Sequence, residues 1–144
     1  MDLSIAQSEV LLALGVRPGD VGPFERGEVV SFGYPTAGGE PLEGFVYLDP
    51  ARWPHPSGLV SQVLFVSNPL PWAAFRAMLQ FRDRSIAVAR ALGLQQVELQ
   101  AGTVINPAVR TMLIRRGFQL RTVQAPANLG GGPQEVFSLQ VRIP

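Results

Sequence analysis

The chain has 144 residues and a formal net charge of only +1, with 47% hydrophobic and 16% charged residues. This length and mixture predict one globular domain over residues 1–144, long enough to bury about two thirds of its unfolded surface, and argue against disorder. The absence of cysteine excludes a disulfide framework, a thiolate nucleophile and a cysteine-ligated zinc site. The single histidine excludes a histidine-based metal cluster, so we expect no metal.

The basic residues also limit the range of partners. All twelve are arginines spread along the chain, which does not predict a nucleic-acid-binding surface. The absence of lysine excludes a Schiff-base or P-loop lysine. No apolar run reaches the roughly 18 residues of a membrane span, and the first residues lack the features of a signal peptide. We therefore expect a cytoplasmic protein that has neither nucleic acid nor a membrane as its partner.

The first half of the chain predicts one helix and three strands. A capping-box pattern at Ser4 predicts a helix that ends at Gly15. Hydrophobic patterning and turn residues then predict strands over residues 28–34 and 42–48, joined as a hairpin. The apolar run over residues 59–66 is typical of a buried central strand.

The second half begins with the clearest helical pattern. After Pro71 no proline or glycine occurs until Gly93, and apolar residues recur at helical spacing, which predicts a long amphipathic helix over residues 71–92. Residues 96–101 predict the next strand. A strand, a crossover helix and a second strand imply a parallel pair with a right-handed connection.

The last part of the chain predicts one more helix and two strands. Asn106 followed by Pro107 is typical of a helix start, and this helix is expected to stop at Gly117. Residues 120–124 and 136–143 are predicted as strands. The whole order of elements predicts an α/β (α+β) fold, in which helices cover both faces of a mixed central sheet.

Two motifs resemble the second half of the GNAT family of acyltransferases. Ala89 and Gly93 match an Ala-x-x-x-Gly pattern at the end of the family's long helix, and Asn106, Gly117 and Phe118 fall at the spacing of its last helix. Together with the order of elements, this resemblance implies a GNAT-like fold. It also implies that acetyl-CoA binds in a V-shaped opening between the two central parallel strands and that an amine accepts the acetyl group.

The resemblance implies a set of cofactor-binding residues. The family cradles the pyrophosphate with (Arg/Gln)-x-x-Gly-x-(Gly/Ala) at the start of the long helix, but the matching positions are Ala73, Arg76 and Met78, without either glycine. Arg76, Gln80 and Arg84 share a helical face and can offer guanidinium groups to a phosphate instead, although a solvated polar face explains them too. The expected set is Val63, Phe65, Val66, Arg76, Gln80, Arg84 and Asn106, the last of which an N-cap role also explains.

Catalytic groups are harder to find in the sequence. Leu113 occupies the position of the family's acidic tyrosine, and the central strand carries no carboxylate. Glu98 on the neighbouring strand is the nearest general base, although its alternation with Val97 and Leu99 fits an outward polar position. His55 is the one side chain whose ordinary pKa lies near neutrality, in a loop before the central strand, where a lone histidine is usually solvated.

Two functions fit this sequence. The first is an acetyl-CoA-dependent N-acetyltransferase that acts on a small-molecule or peptide amine. The second is a catalytically inactive GNAT-fold binding or structural subunit, for example a phage particle component incorporated into a virion with protein assembly partners. The second function predicts a large exposed apolar patch around Trp53 and Trp72. It also predicts either a stable homo-oligomer or a stable complex with a protein partner.

Overall fold

The computed structural model describes residues 1–35, 41–64, 71–102, 107–126 and 130–144. Its helices are α1 (Ile5–Leu14), α2 (Val21–Glu25), α3 (Pro71–Ala91) and α4 (Pro107–Arg115), with 3₁₀ turns at Pro18–Asp20 and Pro50–Arg52. Its strands are β1 (Val30–Pro35), β2 (Pro41–Leu48), β3 (Gly58–Leu64), β4 (Gln96–Ala101), β5 (Gln119–Gln124) and β6 (Pro133–Arg142).

The described strands form one sheet in the order β1-β2-β3-β4-β6-β5. Strands β3 and β4 pair in parallel at its centre, and the other neighbours pair antiparallel. Helix α3 connects the parallel pair, as the strand, helix and strand pattern predicted. The predicted mixed α/β sheet is therefore confirmed, and helices α1 and α3, of the helices expected on both of its faces, lie together on one face.

The first helix begins and ends as the sequence predicts. Ser4 Oγ accepts a hydrogen bond from the Gln7 backbone N–H at 3.1 Å, and Gln7 Oε1 accepts one from the Ser4 N–H at 2.9 Å. Gly15 ends the helix with a φ of +110°, which an L side chain rarely adopts. The Gly15 carbonyl then accepts a hydrogen bond from the Gly33 N–H at 3.1 Å, which ties the end of α1 to the edge strand β1.

One face of the sheet carries the apolar core, and we call it the helical face. On this face the Ser85 hydroxyl of α3 donates to Ser61 of β3 at 2.9 Å, and Phe81 of α3 stacks on Phe32 of β1 at 6.1 Å between ring centroids. Helix α1 lies beside α3, where Gln7 Nε2 donates to the Ala91 carbonyl at 3.1 Å. The fully buried side chains include Leu11, Leu14, Phe24, Leu48, Leu59, Phe81, Leu99 and Leu113.

The structure adds one element that the sequence did not predict. Helix α2 falls in a stretch rich in proline and glycine, where we expected irregular chain. Its Phe24 is completely buried, so tertiary packing stabilises a turn of helix that local propensity does not favour. The predicted central strand is described as far as Leu64, and its last two predicted residues lie outside the described part. No helix among the described residues is long and apolar enough to cross a membrane.

Candidate functional site

The second face of the sheet, the polar face, carries a row of buried polar side chains. Gln62 of β3 pairs in register with Gln100 of β4, which pairs with Ser138 of β6. The exposed fractions of these three residues are only 3%, 4% and 4%. We call these three residues the polar strip. The strip crosses the parallel pair at the centre of the sheet, so neighbouring strands place all three side chains on one surface.

Two atoms of the polar strip lack hydrogen-bond partners within the described part of the chain. They are Gln62 Nε2 and Ser138 Oγ, both of which are buried. Leaving a buried donor unpaired costs about 1–3 kcal/mol, so most buried polar groups in proteins have a partner. Two such atoms on one row of the sheet therefore leave hydrogen-bonding capacity that the described part of the chain does not use.

Glu98 lies next to the polar strip and is held by three side chains. Gln100 Nε2 donates to its Oε2, while Arg121 Nη1 at 3.1 Å and Gln140 Nε2 at 3.2 Å donate to its Oε1. Three of the roughly four acceptor positions of the carboxylate are thus already used within the chain. The contacts support a role in holding Gln100 and the neighbouring strands, in agreement with the outward polar position weighed from the sequence.

Tyr47 of β2 lies on the same face, and the charge of Glu98 affects its pKa. Burial of the phenol, with smaller contributions from the negative charges of Glu98 and Asp49, raises the pKa of Tyr47 to about 12. Asp49, Glu98 and Gln140 also line a small pocket of about 110 Å³ beside the first residues of β3 and β4. Two carboxylates, Asp49 and Glu98, therefore lie at this end of the polar face, where Glu98 pairs with Arg121 at 3.1 Å.

The expected cofactor opening between β3 and β4 is absent from the described part of the two strands. They stay paired from Gly58 and Gln96 to Val63 and Ala101, and the Gly102 N–H donates to the Val63 carbonyl at 3.0 Å. Val63 itself is 2% exposed and belongs to the core of the helical face. Three other expected cofactor residues lie outside the described residues: Phe65, Val66 and Asn106.

The residues at the predicted pyrophosphate cradle do not fit that group. Helix α3 begins at Pro71, so the N–H groups of Arg76 and Met78 lie beyond its first turn and are used by the helix itself. Met78 packs against the core, and Ala73 is 8% exposed. No phosphate can approach the backbone at these positions, and we derive no step through acetyl-CoA.

The alternative phosphate-binding face is partly committed to the fold. Arg84 Nη1 donates to the Ala13 carbonyl of α1 at 3.1 Å, and its guanidinium lies 3.9 Å from the Tyr34 ring centroid. Arg76 and Gln80 are both exposed, and Arg76 already takes part in an interaction within the chain. Arg84 therefore joins α3 to α1 and β1, and its expected role as a cation for phosphate stays a prediction.

The remaining site residues do not converge on the polar strip. His55 is exposed between β2 and β3 and is not among the residues that line the pocket beside Glu98. Trp53 is 41% exposed and packs on Gly27, where an added Cβ would lie 2.9 Å from the indole ring. Leu113 is buried in the core, as its apolar character predicts. The side chain of Trp72 lies outside the described part of the chain.

The combination of a central parallel pair, a connecting long helix and two final antiparallel strands decides the topology. The chain has a GNAT-like fold. It is similar to a spermidine N-acetyltransferase chimera of Vibrio cholerae SpeG and hSSAT, with 18% sequence identity, a TM-score of 0.41, and coverage of 79% of this chain and 66% of that chain. It is also similar to a "putative acetyltransferase" from Agrobacterium tumefaciens, with 16% identity, a TM-score of 0.39, and coverage of 99% and 96%.

These likenesses concern the fold only. The GNAT-like chain spans about two thirds of the length of the spermidine N-acetyltransferase chimera. No protein-family model matches the sequence, and no curated protein matches it. At such low identities and TM-scores neither structure supports a statement about the activity of this chain.

Sequence reasoning missed the polar strip, although its signal was present. Gln100 and Ser138 each stand between two apolar residues of a strand, and Gln62 stands between Ser61 and Val63, so period-two alternation places them on the face opposite the core. What the sequence could not supply is the register that aligns the three strands. In the described part of the chain, no cluster of three or more histidine, aspartate or glutamate side chains has a metal-binding arrangement.

Proposed function

We propose that this GNAT-like chain is a binding protein whose polar strip holds a neutral, carbonyl-bearing ligand such as an amide. The observation that carries this proposal is the pair of buried, unpartnered atoms, Gln62 Nε2 and Ser138 Oγ. An amide nitrogen and a hydroxyl both donate hydrogen bonds, and a carbonyl oxygen accepts up to two. A ligand that supplies such oxygens would remove the cost of leaving these donors unpaired.

The charge around the strip favours a neutral ligand over an anion. Glu98 is hydrogen-bonded directly to Gln100, the middle residue of the strip, and pairs with Arg121 at 3.1 Å, so this ion pair leaves no net positive charge for a carboxylate or phosphate. Burial strengthens this discrimination, because an incoming anion would also lose its hydration. An amide oxygen carries only a partial charge and avoids both costs.

A second candidate is the N-acetyltransferase reaction, which one observation favours. The chain keeps the central parallel pair β3 and β4 with α3 crossing between them, the arrangement that the resemblance associates with acyl transfer. On this alternative an amine acceptor would approach the polar face. The cradle positions at Arg76 and Met78 weigh against it, because they offer no place for the pyrophosphate.

Calorimetric and thermal-shift titrations separate the two functions. The ligands are a neutral diamide, N-acetylleucinamide, its anionic counterpart N-acetylleucine, and acetyl-CoA. We expect the diamide to bind at least tenfold more tightly than N-acetylleucine and, at about a hundredfold excess over its dissociation constant, to add about 2.7 kcal/mol of stability. Equal binding of the two, or no binding of the diamide, would refute the proposal. Acetylated product from acetyl-CoA and an amine panel would establish the enzyme instead.

Two variants show whether the strip is the binding surface. Gln62→Met and Ser138→Ala each remove an unpartnered group and nearly preserve shape, so we expect diamide binding to be lost while the free energy of unfolding stays equal or rises. A control, Thr122→Val on the exposed strand β5, should change neither quantity. Unchanged diamide affinity in both strip variants would place the ligand elsewhere.

A further inference from the structure

A groove of about 360 Å³ lies on the polar face, over the edge strand β1. The isolated antiparallel bridge between Val16 and Phe32 places Arg17 beside Ser31, and Ser31 pairs with Phe45 of β2. These three residues form one row of the groove. Phe45 in turn pairs with a residue of the polar strip on β3, so the groove and the strip are neighbours on the same surface.

A second row completes the groove. The Gly33 N–H donates to the Gly15 carbonyl at 3.1 Å, Gly33 pairs with Glu43 of β2, and Glu43 pairs with Leu64 of β3. Arg17 and Glu43 therefore stand on opposite sides of β1 and one row apart, roughly 12 Å from each other at the backbone, because about two strand spacings across the sheet combine with two residues along it. Gly33 lies between them and has no side chain, which leaves the space between the two charges open.

The two charged groups of the groove do not neutralise each other. Both are exposed, and neither Arg17 nor Glu43 forms an ion pair or side-chain hydrogen bond among the described residues. Phe45 is half-buried and Leu64 is 40% exposed, so the same groove also offers apolar surface. Its volume falls in the range of pockets that bind small molecules, about 300–1,000 Å³.

We propose that this groove binds the zwitterion of an α-amino acid with an apolar side chain. The guanidinium of Arg17 would donate two hydrogen bonds to the carboxylate of the ligand, and the ammonium group of the ligand would donate to the Glu43 carboxylate. The apolar side chain would cover Phe45 and Leu64. The two opposite charges of such a ligand match those of Arg17 and Glu43, and Gly33 has no side chain that would fill the groove. The inference does not rest on the proposed function of the polar strip, because different side chains bind a different chemical group.

Calorimetric titration of the full chain with three probes tests the charge pattern. L-leucine carries both charges, leucinamide lacks the carboxylate, and N-acetylleucine lacks the ammonium group. We expect leucine to bind at least tenfold more tightly than either analogue, because each analogue leaves one charge of the groove without a partner. Absence of leucine binding, or equal affinity for all three probes, would overturn the proposal.

Two single variants assign each charge to its partner. Arg17→Gln should weaken leucine about tenfold and leave the affinity for leucinamide unchanged, since leucinamide makes no use of the guanidinium. Glu43→Gln should weaken leucine by a similar factor and leave the affinity for N-acetylleucine unchanged. If either variant weakens all three probes equally, or neither weakens leucine, the assignment is wrong.

A groove-filling variant tests the location without removing either charge. A Cβ at Gly33 would lie 3.7 Å from its nearest neighbours, an ordinary contact, so Gly33→Val should fold and project its methyl groups into the groove. We expect leucine binding to fall at least tenfold while the unfolding midpoint stays within a few degrees. The control Gly19→Ala, where nothing lies within 4 Å of the added Cβ, should leave binding intact. Full leucine affinity in folded Gly33→Val would overturn the proposal.

Discussion

The two faces of this sheet differ in how their buried polar side chains are hydrogen-bonded. On the helical face the hydroxyls of Ser61 and Ser85 satisfy each other at 2.9 Å across the contact between β3 and α3. On the polar face Gln62 Nε2 and Ser138 Oγ are equally buried but have no partner in the described part of the chain. The phenol oxygen of Tyr34 is the exception on the helical face, because it too is unpartnered. Among the described residues the polar face therefore has two unpartnered buried polar atoms and the helical face has one.

The largest expected effect is the loss of stability when an aromatic residue of either face is replaced by alanine. Phe32 is 3% exposed and stacks on Phe81 and Tyr34, so Phe32→Ala should cost about 3–5 kcal/mol of unfolding free energy. Phe45 is only half-buried on the polar face, and Phe45→Ala should cost less than about half of that amount. Urea denaturation of both variants measures the difference. Equal losses would mean that the polar face contributes to stability as the helical face does.

A pair of serine variants gives a smaller effect that differs in sign. Ser85→Ala leaves the Ser61 hydroxyl buried without its partner and should cost about 1–3 kcal/mol. Ser138→Ala removes a group that is already unpartnered, so the free energy of unfolding should stay equal or rise by about 1 kcal/mol. Urea denaturation at neutral pH measures both changes. A loss of stability in Ser138→Ala would show that its hydroxyl is satisfied within the folded chain.

The smallest effect is a pH dependence that both faces share. Burial raises the pKa of Tyr34 and of Tyr47 from 10 to about 12 in the folded chain. A phenol with a raised pKa favours folding fully below pH 10, and this contribution is lost as the pH rises through about 12. Stability should therefore fall between these values, and the Tyr→Phe variant at each position should reduce that fall. Urea denaturation across this range checks the sign.

The two phenols can be told apart by their neighbours. Glu98 helps to raise the pKa of Tyr47, whereas Arg84 lowers that of Tyr34 against the larger effect of burial. Glu98→Gln should consequently lower the pKa of Tyr47 and leave Tyr34 unchanged, while Arg84→Gln should raise the pKa of Tyr34 alone. Ultraviolet titration of the phenols measures both shifts. A shift of both phenols in either variant would contradict the separation of the two faces.

Local sequence signals predicted most of the fold because they depend on residues close in the chain. The capping box at Ser4, the proline- and glycine-free stretch of α3 and the stop at Gly117 each gave an element whose observed bounds agree within a few residues. Helix α2 was missed because its stability depends on burial of Phe24 among distant residues. For the same reason the sequence did not show that Arg84, on the polar face of α3, donates a hydrogen bond to α1.

The sequence by itself determined most of the elements, the parallel connection through α3 and the absence of thiol and lysine chemistry, because composition and periodicity are properties of the chain alone. Only the tertiary structure decided which polar residues meet. Gln62, Gln100 and Ser138 are far apart in sequence, and Arg17 and Glu43 reach one groove through strand register and the bridge at Val16. Register follows from packing of the whole sheet, since a slip of one residue would move every side chain to the other face.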